Sequence, residues 1–364
     1  MKTYPISMTP GPVKVPPEIL AVWQTNFGSA DMEADYLDLY NRAEANLQTI
    51  LGTKNKVTIH TGEGMLGLWG ALKSCLLPGD RVLSISTGVF GTGIGEMAKT
   101  VGAEVRLIEL PFNQTIGGLE AMDLAIREFK PKMITAVHCE TPSGTLNPIK
   151  ELGALKKRLG VPLLYVDAVA SAGGVPVEAD ACHIDLCLGG SQKALSVPPA
   201  MTFVSVSDAA WEIIQEVKYA GYDAFLPFYA AQRDFYFPYT PYWQGTAALN
   251  MGAELLIKEG LTNSYTRHEA VAQACRTGLQ ALGLDLFPAP GAVSSPTVTA
   301  VNVPDGITWP ELDARFRAGG LVVGGSYGPM AGRVFRLGHM GSQADIALLG
   351  QALAVIGEAV KDIV

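Results

Sequence analysis

The sequence predicts an α/β protein with a mainly parallel sheet in a large domain, followed by a smaller α+β domain. Between residues 56 and 206, short apolar runs alternate with segments whose apolar residues recur at helical spacing, a pattern typical of βαβ units. After residue 217 this alternation stops, and longer helical segments follow with a few short strand-like runs. We therefore expect a sheet covered by helices on both faces, with ligand-binding loops at the carboxyl ends of its strands.

The predicted elements follow in order along the chain. The proline-rich residues 1–16 predict an N-terminal arm, and residues 17–51 predict helix interrupted near residues 26–29. In the large domain, residues 17–250, strands are predicted at 56–60, 81–86, 104–110, 132–138, 162–167, 185–188 and 201–206. Helices are predicted between them at 65–76, 90–101, 119–129 and 149–159, and from residue 208 onwards. A helix over 245–259 crosses into the small domain, residues 251–364, which has predicted helices at 265–282, 309–318 and 344–360 and strands at 297–302, 321–323 and 334–337.

Residues 219–244 are crowded with aromatic side chains. Exposed, so many rings would favour aggregation, so this tract predicts either an oligomer interface or a lid over a site. Ordinary packing in a core is the other interpretation, and the sequence leaves both open.

Composition restricts the class of protein. The chain has 364 residues, of which 48% are hydrophobic and 17% charged, as expected for a globular protein. Its net charge of −8 disfavours a general nucleic-acid-binding protein. The five scattered cysteines predict reduced, buried thiols, and their spacing matches no structural zinc site. No signal peptide and no apolar run of about 18–20 residues is visible, so we expect a cytoplasmic protein without a membrane span.

Lys193 and Asp167 follow apolar runs at the predicted ends of strands. An amine desolvated at such a position can form a Schiff base with an aldehyde cofactor, although a single lysine in a polar loop is usually solvated. A carboxylate buried at Asp167 needs a cationic partner, and a protonated pyridine nitrogen would serve. Together the two residues predict a pyridoxal-phosphate enzyme.

Residues 62–67 read Gly-Glu-Gly-Met-Leu-Gly between a predicted strand and a predicted helix, which matches the pattern G-x-G-x-x-G. Backbone N–H groups at such a helix N-terminus bind phosphates. A dinucleotide site also needs an acidic residue at the end of the next strand, whereas Asp80 precedes that strand. The loop therefore favours a phosphate monoester over a dinucleotide, and simple helix capping by glycine remains the alternative.

Along almost its whole length the chain resembles the class V aminotransferases, fold-type I pyridoxal-phosphate enzymes, and in particular the alanine–glyoxylate and serine–pyruvate group. The resemblance rests on motifs that occur in the same order: Thr9-Pro10-Gly11-Pro12, residues 62–67, Thr87-Gly88-Val89-Phe90-Gly91, Glu140-Thr141-Pro142-Ser143-Gly144, residues 166–171, Ser191-Gln192-Lys193-Ala194 with Pro198-Pro199, Tyr239-Thr240-Pro241 and residues 336–341.

The resemblance implies a role for each matching residue. Lys193 would hold the cofactor as a Schiff base and act as general base, and Asp167 would keep the pyridine nitrogen protonated. Phe90 would stack on the ring, and Ser143 would lie near the ring hydroxyl or the imine. The backbone of residues 62–64 and the Gln192 side chain would hold the phosphate. The complete set of implied cofactor contacts is Gly62, Glu63, Gly64, Phe90, Thr141, Ser143, Asp167, Val169, Gln192, Lys193 and Thr240.

Two further implications concern the partner subunit and the substrate. Thr240 would reach the phosphate in the neighbouring subunit's site, so the resemblance implies a homodimer with shared active sites. Arg336 would bind the substrate α-carboxylate, because the planar guanidinium suits bidentate contact with it. Glu63 and Tyr327 would lie near the substrate.

Glu63 departs from the usual family pattern. Because a carboxylate beside a phosphate is repulsive, we expect Glu63 to face the substrate side of the ring, where it would recognise a positive or hydrogen-donating group of the amino donor. A glutamate here is similar to pyridoxamine–pyruvate aminotransferase, which uses free pyridoxamine as a substrate. That relative has a second arginine nine residues before the carboxylate-binding one, whereas this chain has Tyr327 there.

The sequence thus predicts an aminotransferase that moves an amino group from a small amino acid, alanine or serine, to glyoxylate or pyruvate with pyridoxal 5'-phosphate as cofactor. Pyridoxamine–pyruvate transamination and other class V transaminations, from ureidoglycine or an aminophosphonate, remain alternatives. Cysteine desulfuration is disfavoured because the only cysteine in the small domain, Cys275, lies within a predicted helix. A dinucleotide-dependent oxidoreductase is disfavoured because the ribose-binding acidic residue is missing after the strand at 81–86.

Overall fold

The computed structural model describes residues 3–363. Its strands are β1 (Ile6–Ser7), β2 (Lys56–Thr61), β3 (Arg81–Ser86), β4 (Glu104–Glu109), β5 (Met133–Val137), β6 (Cys139–Glu140), β7 (Thr145–Leu146), β8 (Leu163–Asp167), β9 (Leu186–Gly190), β10 (Met201–Val206), β11 (Val298–Asn302), β12 (Leu321–Val322), β13 (Gly324–Gly325) and β14 (Val334–Gly338). Its α-helices are α1 (Pro17–Ala21), α2 (Ala34–Leu51), α3 (Gly64–Cys75), α4 (Val89–Thr100), α5 (Glu120–Phe129), α6 (Ile149–Leu159), α7 (Asp208–Val217), α8 (Ala231–Asp234), α9 (Trp243–Glu259), α10 (Leu261–Ala281), α11 (Trp309–Ala318) and α12 (Ile346–Val360).

The central sheet has seven strands in the order β2-β10-β9-β8-β5-β3-β4. The pairs β3–β4, β3–β5, β5–β8 and β8–β9 are parallel, and β10 runs antiparallel to both of its neighbours. The predicted α/β class with a mainly parallel sheet is therefore confirmed. Because parallel strands end at the same edge, the loops after β2, β3, β5, β8 and β9 meet on one side of the protein.

Both faces of this sheet are covered, because alternate residues of each strand enter different apolar clusters. In β8, Leu164 and Val166 pack in the cluster that contains α2, α5, α6 and α9. Leu163 and Tyr165 pack in the cluster that contains α3, α4 and α7. Every residue of β8 is buried, as expected for a central strand of a parallel sheet.

The ends of several helices follow local sequence signals. Ser207 begins α7 by accepting the N–H of Ala210, and Asp345 begins α12 by accepting the N–H of Leu348. Gly52 and Gly160 end α2 and α6 in the left-handed conformation, with φ of 64° and 65°.

The C-terminal part of the chain forms a second sheet, β11-β14-β13, with α10, α11 and α12 around its own apolar cluster. The predicted domain boundary at residue 250 falls inside α9, so the end of the large domain remains a prediction. The N-terminal arm is not separate from this part, because β1 pairs in parallel with β12.

The aromatic tract is divided between the interior and the surface. Phe225, Phe228 and Trp243 are buried, whereas Tyr222 and Tyr236 are 57% and 72% exposed. Core packing therefore accounts for some of these rings, and a use for the exposed ones remains a prediction. Within residues 3–363, no helix combines the length and the apolar character needed to cross a membrane.

Candidate active site

The loops at the carboxyl edge of the sheet surround a cavity of about 150 Å³. Several residues that the sequence predicts as a site are brought together in its wall. The lining residues are Glu63, Gly64, Met65, Leu68, Phe90, Cys139, Thr141, Asp167, Val169, Ala170, Gln192 and Lys193.

Lys193 lies in the loop after β9, with its amine inside this cavity. Its Nζ donates a hydrogen bond to the carbonyl oxygen of Pro10 at 2.5 Å. Burial and the nearby charge of Arg336 lower the pKa of Lys193 to about 8, against the opposing effects of Cys139, Asp167 and Glu63. A substantial fraction of the amine is therefore neutral near physiological pH, which makes it available as a nucleophile and a base.

The N-terminal arm lies against this lysine. Gln343 anchors the arm by donating to the carbonyl oxygen of Thr9 at 2.8 Å and accepting the N–H of Lys14 at 3.1 Å. Gly11 has φ of +95°, and a Cβ there would lie only 2.6 Å from Cδ and 2.7 Å from Nζ of Lys193. The close approach of the arm to the amine thus requires glycine at this position.

We expect Gly11→Ala to reduce covalent attachment of a pyridoxal compound to Lys193 by at least about tenfold, since strain at positive φ and the clash both displace the lysine. Attachment is measured as the mass increase of the protein after borohydride reduction. Gly332→Ala is the matched control, because Gly332 also has positive φ (74°) but no atom within 4 Å of the added Cβ. Equal attachment in the wild type and in Gly11→Ala would contradict this account of the arm.

Asp167 is the last residue of β8 and is buried in the same cavity. Its Oδ1 accepts the backbone N–H of Val169 at 2.9 Å. Burial raises the pKa of Asp167 to about 6; the Val169 N–H and Lys193 oppose that shift, and Glu63 adds to it. The carboxylate is thus mostly ionised at neutral pH and has no ion-pair partner among residues 3–363, so it can stabilise a positive group within the cavity.

Phe90 lies in the first turn of α4 and lines the cavity. The buried carboxylate of Glu140 accepts the N–H of Phe90 at 3.3 Å and that of Gly91 at 2.7 Å. Glu140 therefore caps the helix that presents the Phe90 ring. The side chains of Phe90, Asp167 and Lys193 thus fit a pyridine ring with an aldehyde group: an aromatic face, a carboxylate and an amine.

Glu63 lies at the N-terminus of α3, where the sequence predicts phosphate binding. Its Oε1 accepts the N–H of Met65 at 3.0 Å, and its Oε2 accepts the Nε2 of Gln192 at 3.2 Å. The free N–H groups and the dipole of α3 stabilise the carboxylate at this position, and the expectation that Glu63 faces the substrate side of the ring remains a prediction. The N–H of Gly62, a further predicted phosphate contact, donates instead to the carbonyl oxygen of Ala200 at 2.8 Å.

Gln192 has one buried amide atom without a partner. Its Nε2 must face Glu63, because an ionised carboxylate only accepts hydrogen bonds, and this orients Oε1 away from it. Within residues 3–363, Oε1 is buried and receives no hydrogen bond. The predicted phosphate end of the cavity thus holds an anionic acceptor, Glu63, beside a buried amide oxygen that has no donor within the described residues.

Arg336 on β14 is only 3% exposed. Its guanidinium donates to the carbonyl oxygen of Gly325 through Nε at 2.8 Å and also through Nη2, and more weakly to that of Thr141 at 3.5 Å. The ring of Tyr327 lies 4.7 Å from its Cζ. No carboxylate within the described part of the chain forms an ion pair with Arg336, which does not itself line the cavity, so its substrate contact remains a prediction.

Several other predicted site residues lie at the edge of the cavity or away from it. Thr141, Gly64 and Val169 line it, and Gly64 is pressed so closely against Val169 that a Cβ would lie 3.2 Å from it. Ser143 is buried in its turn, where its hydroxyl pairs with Thr145 at 2.9 Å. Thr240 is exposed and does not line this chain's cavity. The cofactor contacts of Ser143 and Thr240 remain predictions.

Sequence reasoning missed three groups in this site. The Pro10 carbonyl acts through its main chain, which no residue type reveals, although the motif Thr9-Pro10-Gly11-Pro12 marks the position. The Glu140 side chain caps a helix 50 residues earlier in the chain, beyond the reach of a local capping pattern. Cys139 was expected only to be a buried thiol, and it also lines the cavity.

Comparison with known proteins gives one family. The model of the class-V aminotransferases matches residues 18–309, which is most of the chain.

The chain is 34% identical to a pyridoxamine–pyruvate transaminase of Mesorhizobium japonicum, covering 98% of this chain and 91% of that protein. It is 32% identical to an alanine–glyoxylate aminotransferase of Callithrix jacchus, covering 94% and 85% of the two chains. The crystal structure of an alanine–glyoxylate aminotransferase from Nostoc sp. superposes with a TM-score of 0.94 at 27% identity, covering 99% of this chain and 96% of that one.

Proposed function

The chain belongs to the class-V aminotransferase family, and from this membership we propose that it moves an amino group from alanine or serine to glyoxylate or pyruvate. Aminotransferases of this class and fold type depend on pyridoxal phosphate. When bound, that cofactor supplies an electron-withdrawing ring that stabilises negative charge on the α-carbon of the donor.

Four residues of the chain would bind the cofactor and the substrate and move the proton. Lys193 would carry the proton that leaves the donor α-carbon, and its lowered pKa suits it to both accept and return that proton. Asp167 would hold the ring nitrogen in its protonated form, and Phe90 would orient the ring from one face. Arg336 would bind the single carboxylate of the amino or 2-oxo acid.

The observation that carries this proposal is the buried guanidinium of Arg336, which forms no ion pair within residues 3–363 and which, after burial, is the second cause of the lowered pKa of Lys193. A buried cation without a counter-ion is unfavourable unless a ligand supplies the anion. Tyr327 covers the guanidinium and adds no second positive charge, which favours a substrate with one carboxylate over a dicarboxylate.

A second candidate, transfer of the amino group from pyridoxamine to pyruvate, is favoured by Glu63. A bound phosphate carries negative charge and offers acceptors, and Glu63 in the cavity wall is itself a negatively charged acceptor. The hydroxymethyl group of pyridoxamine offers a hydrogen-bond donor in place of the phosphate. Binding a phosphate would require the Glu63 carboxylate to leave the N-terminus of α3.

A matrix of donors and acceptors separates the two candidates. Alanine, serine and pyridoxamine are each incubated with glyoxylate or pyruvate, and amino-acid products are followed by NMR. Turnover of alanine or serine that requires added pyridoxal phosphate supports the first candidate. Turnover of pyridoxamine with pyruvate in the absence of phosphorylated cofactor supports the second, and no turnover in any combination contradicts both.

We expect Glu63→Ser to raise the affinity for pyridoxal phosphate relative to pyridoxal by at least about tenfold. The reason is that two like charges about 4 Å apart repel by several kcal/mol at intermediate dielectric, and about 1.4 kcal/mol corresponds to tenfold. Both dissociation constants are measured by equilibrium dialysis. Asp345→Ser is the matched control, because Asp345 likewise caps its own helix by accepting a backbone N–H, here at 2.7 Å from Leu348. An unchanged ratio of the two affinities would show that Glu63 does not exclude phosphate.

We also propose a homodimer in which Thr240 of each subunit completes the site of the other. Its exposure, together with that of Tyr222 and Tyr236, supports this proposal. Sedimentation of the wild type and of Tyr236→Glu tests the dimer.

We also propose a cytoplasmic location, which the five free, buried cysteines support.

A further inference from the structure

Glu140 is a buried carboxylate next to this site. Neither the family motifs nor the proposed chemistry gives it a role. It is fully buried in the short strand β6, next to the cavity residue Cys139. Within residues 3–363 its side chain forms no ion pair, and its hydrogen-bond partners are the backbone N–H groups of Phe90 and Gly91.

These two N–H groups belong to the first turn of α4, where a helix leaves donors unsatisfied. The residue before the helix, Gly88, has no side chain that could cap it. Glu140 therefore supplies the side-chain cap for the helix that bears Phe90.

The carboxyl group of Glu140 packs tightly against the backbone of this turn. A Cβ on Gly88 would lie 2.5 Å from Cδ of Glu140, and one on Gly91 would lie 3.3 Å from Oε1 and 2.8 Å from Cα of Ser86. The main chain on both sides of Phe90 is thus in contact with the carboxyl group. A shift of Glu140 would move the Phe90 backbone with it.

Keeping an acid in this position is unfavourable. Burial raises the pKa of Glu140 to about 7, the two N–H groups oppose that shift, and the negative charge of Asp167 adds to it. An apolar residue would avoid both the desolvation and the repulsion. The carboxylate nevertheless accepts two backbone N–H groups, that of Phe90, whose ring lines the cavity, and that of Gly91.

We propose that Glu140 is a positioning residue, which holds the Phe90 ring against the pyridine ring of the bound pyridoxal compound through the first turn of α4. This inference rests on the proposed function, because it assumes that the cavity binds such a compound. Glu140 acts through Phe90 alone, so the effect of replacing Glu140 should disappear when the Phe90 ring is absent.

A double-mutant cycle tests this coupling. The dissociation constant of pyridoxal, and separately of pyridoxal phosphate, is measured by equilibrium dialysis, and the induced visible circular dichroism of the bound compound is recorded. Glu140→Ala is expected to weaken binding by at least about fivefold, the loss typical of a helix cap, and to reduce the induced signal. Glu140→Gln, which keeps an acceptor oxygen, is expected to retain most of the affinity and most of the induced signal.

In the Phe90→Leu background, Glu140→Ala is expected to weaken binding by less than about twofold. Glu44→Ala is the control, because Glu44 is also buried and accepts a backbone N–H, that of Val57, at 2.8 Å, but lies outside the cavity. It should leave affinity and the induced signal unchanged. Should Glu140→Ala fail to fold, Glu140→Asp, with a shorter side chain, takes its place in the cycle.

The inference is overturned if the Glu140 substitution leaves affinity and circular dichroism unchanged, or if its effect is equally large with and without the Phe90 ring. Failure of the wild type to bind either pyridoxal compound would overturn the proposed function together with this inference. Binding by the wild type combined with additive effects in the cycle would overturn the role of Glu140 alone.

Discussion

Replacing Lys193 by arginine is expected to abolish covalent attachment of the pyridoxal compound and to reduce transamination by at least about a thousandfold. Arginine keeps the positive charge and roughly the side-chain length of lysine, but its guanidinium stays protonated and can act neither as nucleophile nor as base. The amine of Lys193 is suited to both tasks because burial and Arg336 lower its pKa to about 8. Attachment is measured by mass spectrometry after borohydride reduction, and turnover by the NMR assay described above.

Lys156→Arg is the matched control. Lys156 is also largely buried, but it pairs with Asp185 at 2.8 Å outside the cavity, where a guanidinium can replace it. We expect that variant to retain attachment and most of its activity. Substantial turnover by Lys193→Arg would show that Lys193 takes no part in the chemistry.

Arg336→Gln is expected to reduce kcat/KM for the 2-oxo acid by at least about thirtyfold. Loss of one partner from a buried, hydrogen-bonded charge pair costs about 2–5 kcal/mol, and about 1.4 kcal/mol corresponds to tenfold. The guanidinium is buried and held by the carbonyl oxygen of Gly325, so it is oriented before a carboxylate arrives. Initial rates at varied pyruvate and glyoxylate give this ratio directly.

The same variant separates binding of a carboxylate from binding of the pyridoxal compound. Alanine carries a carboxylate, so kcat/KM for alanine should fall in Arg336→Gln, whereas pyridoxamine carries none, so its dissociation constant in the absence of a 2-oxo acid should change little. Arg333→Gln, three residues away and exposed, is the control and should leave both values unchanged. Equal kcat/KM for 2-oxo acids in the wild type and in Arg336→Gln would show that the carboxylate binds elsewhere.

The large sheet could be predicted from the sequence almost residue by residue, since its strands are short segments rich in apolar and β-branched residues that alternate with helical segments. The observed bounds of its seven strands differ from the predicted ones by at most two residues. The pairing of β1 with β12 could not be predicted, because both segments have two residues and their partners are more than 300 residues apart.

The site was predictable where a role belongs to a residue type at a strand end, as for Lys193 and Asp167, which lie in one cavity. It was not predictable where backbone geometry decides the contact. The orientation of Glu63 depends on a free N–H of α3, and the hydrogen bond of Lys193 depends on the main-chain carbonyl of Pro10. Such contacts leave no distinct residue pattern, so neither could be expected from the sequence.

The most direct test of the account is the site of covalent attachment. The wild-type protein is incubated with pyridoxal phosphate and, separately, with pyridoxal, reduced with borohydride and digested, and the peptides are identified by mass spectrometry. The account predicts one modified lysine, Lys193, and loss of the modification when an amino donor is added before reduction. Modification of another lysine, or none at Lys193 with either compound, would contradict it.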